Sequence, residues 1–147
     1  MTVKKIKTVP KKPMSEKQFQ QFLLEAFRDD PNINLFRRNV GGMTGAGGKY
    51  VQFGEPGMSD IWGIVHEHRC PLCNRLLEGT HLELELKTET GQLTDEQERW
   101  LRFVAKKNGI AMVLRPVASD PVGLRQRVCR LIERMKCSQC VEKQRKP

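Results

Sequence analysis

Long apolar runs are missing from this sequence. Nowhere do its 147 residues approach the ~18 consecutive apolar side chains of a helical membrane span. The opening Met-Thr-Val-Lys-Lys is not followed by the apolar segment of a secretory signal. No membrane partner and an intracellular, cytoplasmic location are therefore expected. In a reducing compartment the five cysteines read as thiols or metal ligands rather than as a disulfide framework. No internal repeat is visible. What is present, 38% hydrophobic and 29% charged residues, suits a folded domain better than a disordered chain, and the length suits one domain.

Acidic residues are absent from the first 13 positions, which hold five lysines. Residues 125–147 carry eight basic side chains and two acidic ones, leaving 13 basic against 15 acidic in residues 14–124. The formal charge of +9 thus belongs to the ends, and the body is slightly acidic. Basic arms of this kind either bind a polyanion, nucleic acid first among candidates, or serve as solubilising tails.

Residues 1–13 have two prolines and no periodicity, and read as a flexible basic arm. Ser15 and Gln18 form a capping-box pattern ahead of Phe19, Phe22, Leu23, Ala26 and Phe27, one apolar helix face that should end near Pro31. Strands are expected at 33–39 and 49–53, around a glycine-rich turn at 41–48, then from Asp60 to about His66. A Cys-containing insert at about 67–80 separates these from a strand at 81–87. Thr94 and Gln97 repeat the capping box before Trp100, Leu101 and Val104. A buried strand at 110–114, a helix at about 121–135 and a basic tail at 137–147 complete the chain. The order predicts one α/β domain with a mixed sheet.

Leu82, Leu84 and Leu86 alternate with Glu83, Glu85 and Lys87, so the two sets face opposite sides of a strand. An ordinary strand with a solvated polar face explains this alone. Asp60, however, heads another strand after a glycine-bearing turn, and pairing of the two strands would set it beside Glu85. Converging carboxylates repel unless a cation lies between them, which suits a divalent metal. Lys87 shares the face of Glu85, where an ammonium can orient water and offset negative charge. Gln97 lies on the apolar stripe of its helix, where a polar group needs a partner; either the cap at Thr94 or a site on the sheet would provide one. Glu16 falls in the apolar sector of the first helix, or simply complements its dipole.

Cys70-Pro-Leu-Cys73 and Cys137-Ser-Gln-Cys140 are two CxxC pairs, and four such thiolates make a tetrahedral structural zinc site. His66, His68 and His81 flank the first pair, so a site using Cys70, Cys73 and His81 is the alternative. Four thiolates and one Zn²⁺ would lower the formal charge from +9 to +7. Cys129, one helical turn before Ile132, reads as packing.

The run Gly57-Met-Ser-Asp60-Ile-Trp-Gly63, then Glu85-Leu-Lys87, then Gly91 to Trp100 with Gln97, resembles the PD-(D/E)XK nuclease superfamily. The match is closest to its small stand-alone VRR-NUC type of phages and bacteria, with Ser15 to Gln20 and Arg37-Arg38-Asn39 adding to it. The signature proline before the Asp is missing, and Ser59 stands there. The resemblance implies a restriction-endonuclease-like core over 14–136, its mixed central β-sheet flanked by helices. It implies that Asp60, Glu85 and the backbone carbonyl of Leu86 bind catalytic Mg²⁺ or Mn²⁺, with Glu16 in support. Lys87 would position the attacking water, and Gln97 would orient the water, the lysine or a phosphate. Arg37, Arg38 and Lys49 are candidate DNA contacts or solvated surface charges.

The function expected is metal-dependent DNA hydrolysis. Endonuclease is favoured, because no segment forms an obvious end-binding wall. Relatives of this type are associated with branched DNA, including Holliday junctions, and act as homodimers; for a phage protein the location would be the host cytoplasm. A non-catalytic zinc-containing nucleic-acid-binding protein is the rival, and a sequence-specific restriction-type endonuclease the third reading.

Overall fold

The computed structural model describes residues 14–116 and 121–145; the expected basic arm over residues 1–13 lies outside them. Helix α1 (Glu16–Ala26) opens on the capping box, Ser15 Oγ accepting the Gln18 N–H and Gln18 Oε1 accepting the Ser15 N–H. It is followed by β1 (Ile33–Arg37), a small hairpin of β2 (Gly41–Thr44) and β3 (Tyr50–Phe53), and two long strands, β4 (Ile61–Arg69) and β5 (Leu76–Leu86). Helix α2 (Asp95–Lys106), strand β6 (Ile110–Leu114) and helices α3 (Pro121–Glu133) and α4 (Ser138–Arg145) follow.

The sheet order is β1-β4-β5-β6, with β5 and β6 parallel and the other pairs antiparallel. It is the mixed central sheet expected, with helices on both faces. Leu82, Leu84 and Leu86 of β5 point to the face covered by α1 and α3, where Phe19, Leu23, Phe27, Leu124, Val128 and Ile132 complete the core. Each such side chain taken fully out of water contributes roughly 1.5–3 kcal/mol. Helix α2 packs on β5 and β6, and its Gln97 reaches Glu85, so it covers the opposite face. No helix among the described residues is long and apolar enough to cross a membrane.

Three expectations change. Residues 41–44 are a strand, because Gly41 to Thr44 pair with Phe53 to Tyr50 and the turn shrinks to the five residues between. The Cys-bearing insert at 67–80 is no separate unit: β4 and β5 extend through it as one hairpin, from Ile61↔Leu84 to Arg69↔Leu76. The tail contains a helix, α4, which its sparse apolar residues did not suggest.

Candidate active site and candidate metal centre

The polar face of β5 is buried, not solvated. Glu83 is 0% exposed and Glu85 1%, with Lys87 also buried. Burying an anion is costly unless it is paired and hydrogen-bonded, so each requires partners in the fold.

Glu83 has a full set. Arg38 donates to both carboxylate oxygens, at 2.7 and 2.8 Å, and His81 Nε2 lies 2.7 Å from Oε1. Arg38 was a candidate phosphate contact; the structure gives its guanidinium to Glu83, with a face 5.9 Å from the Trp100 ring centroid. The planar fork of an arginine suits both tasks, which is why sequence could not separate them. Arg37 and Lys49 are exposed, Arg37 at the end of β1 and Lys49 just before β3.

Glu85 is satisfied on one oxygen only. Lys87 Nζ lies 2.9 Å from Oε1, and Gln97 Nε2 donates to the same atom at 2.5 Å. Oε2 is buried without a partner. Continuing the register Trp62↔Glu83 and Ile61↔Leu84 by one step sets Asp60 opposite Glu85. Burial pushes the Asp60 carboxyl above the usual range, against the Leu86 backbone N–H and the charge of Lys87, which pull it down. Glu85 is pushed up by burial and by the negative charges of Asp60 and Glu16, against the pull of Lys87. Two carboxyls that burial makes resist ionisation thus lie beside a bare, buried oxygen.

The backbone fixes this arrangement. The Asp60 carbonyl accepts the Arg38 N–H at 2.9 Å and Gln20 Nε2 of α1 at 3.4 Å. Glu16 precedes Gln20 by one helical turn and so shares its stripe, but its side chain is exposed. Gly57 has φ +85°, and a Cβ there would strike the Glu96 carbonyl and the Gln97 N–H. That glycine lets the loop before Asp60 press against the first turn of α2. Leu86 directs its side chain into the core. Arg115, which the sequence did not single out, donates to the carbonyls of Thr88 and Gly91 at 2.6 and 2.7 Å and so folds the turn after Lys87.

At the far end of the β4–β5 hairpin, about 30 Å along the strands from Asp60, the cysteines converge. The four Sγ atoms of Cys70, Cys73, Cys137 and Cys140 all lie within 4.8 Å of one another. Among the described residues they are the one group of three or more Cys, His, Asp or Glu ligand atoms so placed, and they can hold a metal such as zinc. Glu16, Asp60 and Glu85 do not form such a group. Cys73 and Cys137 Sγ are 3.6 Å apart, close to the ~3.8 Å edge of a tetrahedron with ~2.3 Å Zn–S bonds. The hairpin tip is a knuckle: Cys70 N–H donates to Arg75, Asn74 N–H donates to Cys70, and Asn74 takes φ +56°.

Backbone N–H groups, Cys137 first and then Cys73 and Leu72, pull the Cys70 thiol down to about 6. Cys140, hydrogen-bonded to the sulfurs of Cys137 and Cys73, is pushed up to about 12. Four thiols in one space cannot all ionise without a cation among them. The histidine alternative is not assembled, since His81 is bound to Glu83 and His66 Nε2 to Asn34. In comparisons with known proteins, no family model and no curated protein matches this chain.

Proposed function

We propose that this protein is a metal-dependent DNA endonuclease that hydrolyses phosphodiester bonds, with a restriction-endonuclease-like core. The observation that carries the reading is the buried, unpartnered Oε2 of Glu85, opposite Asp60 and flanked by Lys87 and Gln97. Asp60, Glu85 and the Leu86 carbonyl are assigned as ligands of Mg²⁺ or Mn²⁺, hard cations that take oxygen donors, with Glu16 adding negative charge from α1. The metal, when bound, supplies Lewis-acid activation of the phosphate and an acidified water.

The chain's own groups do the rest. Lys87, anchored on Glu85, keeps a positive charge where negative charge develops and offers N–H groups to orient a water. Gln97 fixes the Glu85 carboxylate so that Oε2 faces away from its donors. Basic residues on the arms and surface, Arg37 and Lys49 among them, hold the backbone by charge. The resemblance adds branched DNA, four-way junctions included, as substrate and a homodimer as the active form. Structural zinc is assigned to Cys70, Cys73, Cys137 and Cys140, pinning α4 to the hairpin tip.

The test is a cleavage assay with linear duplex, single-stranded, flap and four-way-junction DNA, each with and without Mg²⁺ or Mn²⁺ and beside Asp60→Ala. Cleavage that needs the metal and vanishes in the variant supports the reading and ranks the substrates. The assembled cysteine cluster favours one rival, a non-catalytic zinc-containing DNA-binding protein; binding without cleavage, unaffected by Asp60→Ala, would select it.

A further inference from the structure

The β2–β3 hairpin leaves a face of its two-stranded sheet uncovered. Its register pairs Gly41 with Phe53 and Met43 with Val51, so Phe53, Met43 and Val51 share one face, and all three are exposed, Met43 at 58%. The other face carries Thr44, Gln52 and Tyr50, whose ring lies over Gly42 where a Cβ would collide with it. Between the strands, Gly45-Ala46-Gly47-Gly48 form a tip almost bare of side chains, with Gly47 and Gly48 at φ +102° and +78°. Nothing lies within 4 Å of a Cβ built at either, so backbone conformation, not crowding, requires glycine there.

We propose that this hairpin is a DNA-reading ribbon that enters a groove of the duplex beside the scissile phosphate. The inference rests on the nuclease reading and names the part that grips the substrate. Charge complementarity points to this occupant: residues 31–54 contain no acidic residue, and Arg37 and Lys49 are exposed there, free of the ion pair that occupies Arg38. Continuity with the site points the same way. One strand leads from Arg38, whose N–H holds the Asp60 carbonyl, and the other leads through the Gly54–Ser59 loop into Asp60. A two-stranded ribbon fits the major groove, and apolar side chains there contact thymine methyl groups. In the minor groove the same side chains act as wedges between base steps. The bare glycine tip lets backbone approach the floor of the groove or a phosphate.

The experiment uses the full chain carrying Asp60→Asn, so that DNA stays intact, with a labelled duplex followed by fluorescence anisotropy. Met43→Ser with Phe53→Ser, and separately the exposed Lys49→Glu, are compared with the parent, and circular dichroism reports folding. The expected result is roughly tenfold or more weaker binding for each variant with melting unchanged. Parent-like affinity in both variants would overturn the proposal. So would light scattering showing that the Met43/Phe53 variant merely converts a dimer to monomer while each monomer binds DNA as before, which would make the face a self-association surface. Cleavage by the unmodified protein is scored separately. If it fails while the variants lose binding, the ribbon stands and the nuclease reading falls. If it succeeds while the variants bind normally, the reverse holds.

Discussion

Gln97 does two jobs at once: its Oε1 accepts the N–H of Thr94 at 3.0 Å, and its Nε2 donates to Glu85 Oε1 at 2.5 Å. A helix cap is thereby converted into a clamp on a buried carboxylate. The two roles separate by substitution. Thr94→Ala removes the cap and is expected to cost about 0.5–2 kcal/mol of stability with cleavage little changed. Gln97→Ala also frees Glu85 and is expected to lower divalent-ion affinity or cleavage by about 10–100-fold, as removal of a partner that orients a ligand does. Calorimetric titration of Mn²⁺ and denaturant unfolding measure the two effects independently.

Asp60 and Glu85 lie above the usual carboxylate range, so in the fold they hold protons more tightly than in the unfolded chain. For a raised carboxyl, the fold is favoured below its ordinary pKa and loses that advantage as pH rises through the window between the ordinary and the raised value. Without a divalent ion, both therefore take on this cost as pH rises through that window. Asp60→Asn is therefore expected to raise Tm by roughly 2–4 °C at pH 7, the equivalent of about 1 kcal/mol in a domain of this size. The gain should shrink as pH falls to 4. The same variant should lose the rise in Tm that Mn²⁺ gives the parent, since a ligand that binds only the native state stabilises it.

Arg38 and Glu83 form a two-pronged pair on the same sheet face. Arg38→Ala strands Glu83 without its guanidinium partner and is expected to cost about 3–5 kcal/mol in urea unfolding. Arg38→Lys should recover only part, because an ammonium cannot span both oxygens. Replacing Glu83 together with Arg38 by apolar residues should restore most of the loss.

Gly57 sits where a Cβ would meet the backbone of Glu96 and Gln97, at a left-handed φ. Gly57→Ala should push the loop before Asp60 off α2, costing roughly 1–3 kcal/mol and separating Asp60 from Glu85. Cleavage should fall while zinc content stays unchanged.

The cysteine cluster makes the opposite prediction. Cys137→Ser should eliminate zinc, read by metal analysis of the purified protein, and lower Tm. With the cluster about 30 Å from Asp60, the folded fraction should keep its Mn²⁺ affinity.

Both capping boxes, the apolar face of α1 and the convergence of the two CxxC pairs were legible because each is a local pattern or a known ligand geometry. Asp60 meeting Glu85 was legible only as a condition on strand pairing, which the register of β4 and β5 satisfies. The burial of Glu83 was not legible. Alternation says which residues share a face, but only the placement of α2 says whether that face is wet. Arg38 could not be assigned for the same reason, since its partner lies 45 positions away. The ion pair between Asp30 and Arg125, at 2.6 Å, joins the loop after α1 to α3 and left no local trace. That β4 and β5 run unbroken into the cysteine insert was not legible, because Glu67, Arg69, Glu78 and Gly79 interrupt any apolar alternation there. Strand there is sustained by ladder hydrogen bonds and the knuckle rather than by apolar alternation.

The central claim is tested most directly by the rate at which the protein cuts labelled duplex and four-way-junction DNA as Mg²⁺ or Mn²⁺ is raised, beside Glu85→Gln. Metal-dependent cleavage that saturates in the parent and is lost in the variant is expected, with zinc content and folding preserved. Cleavage that persists in Glu85→Gln, or no cleavage of any substrate by a folded, zinc-loaded parent that binds the same DNA, would contradict it.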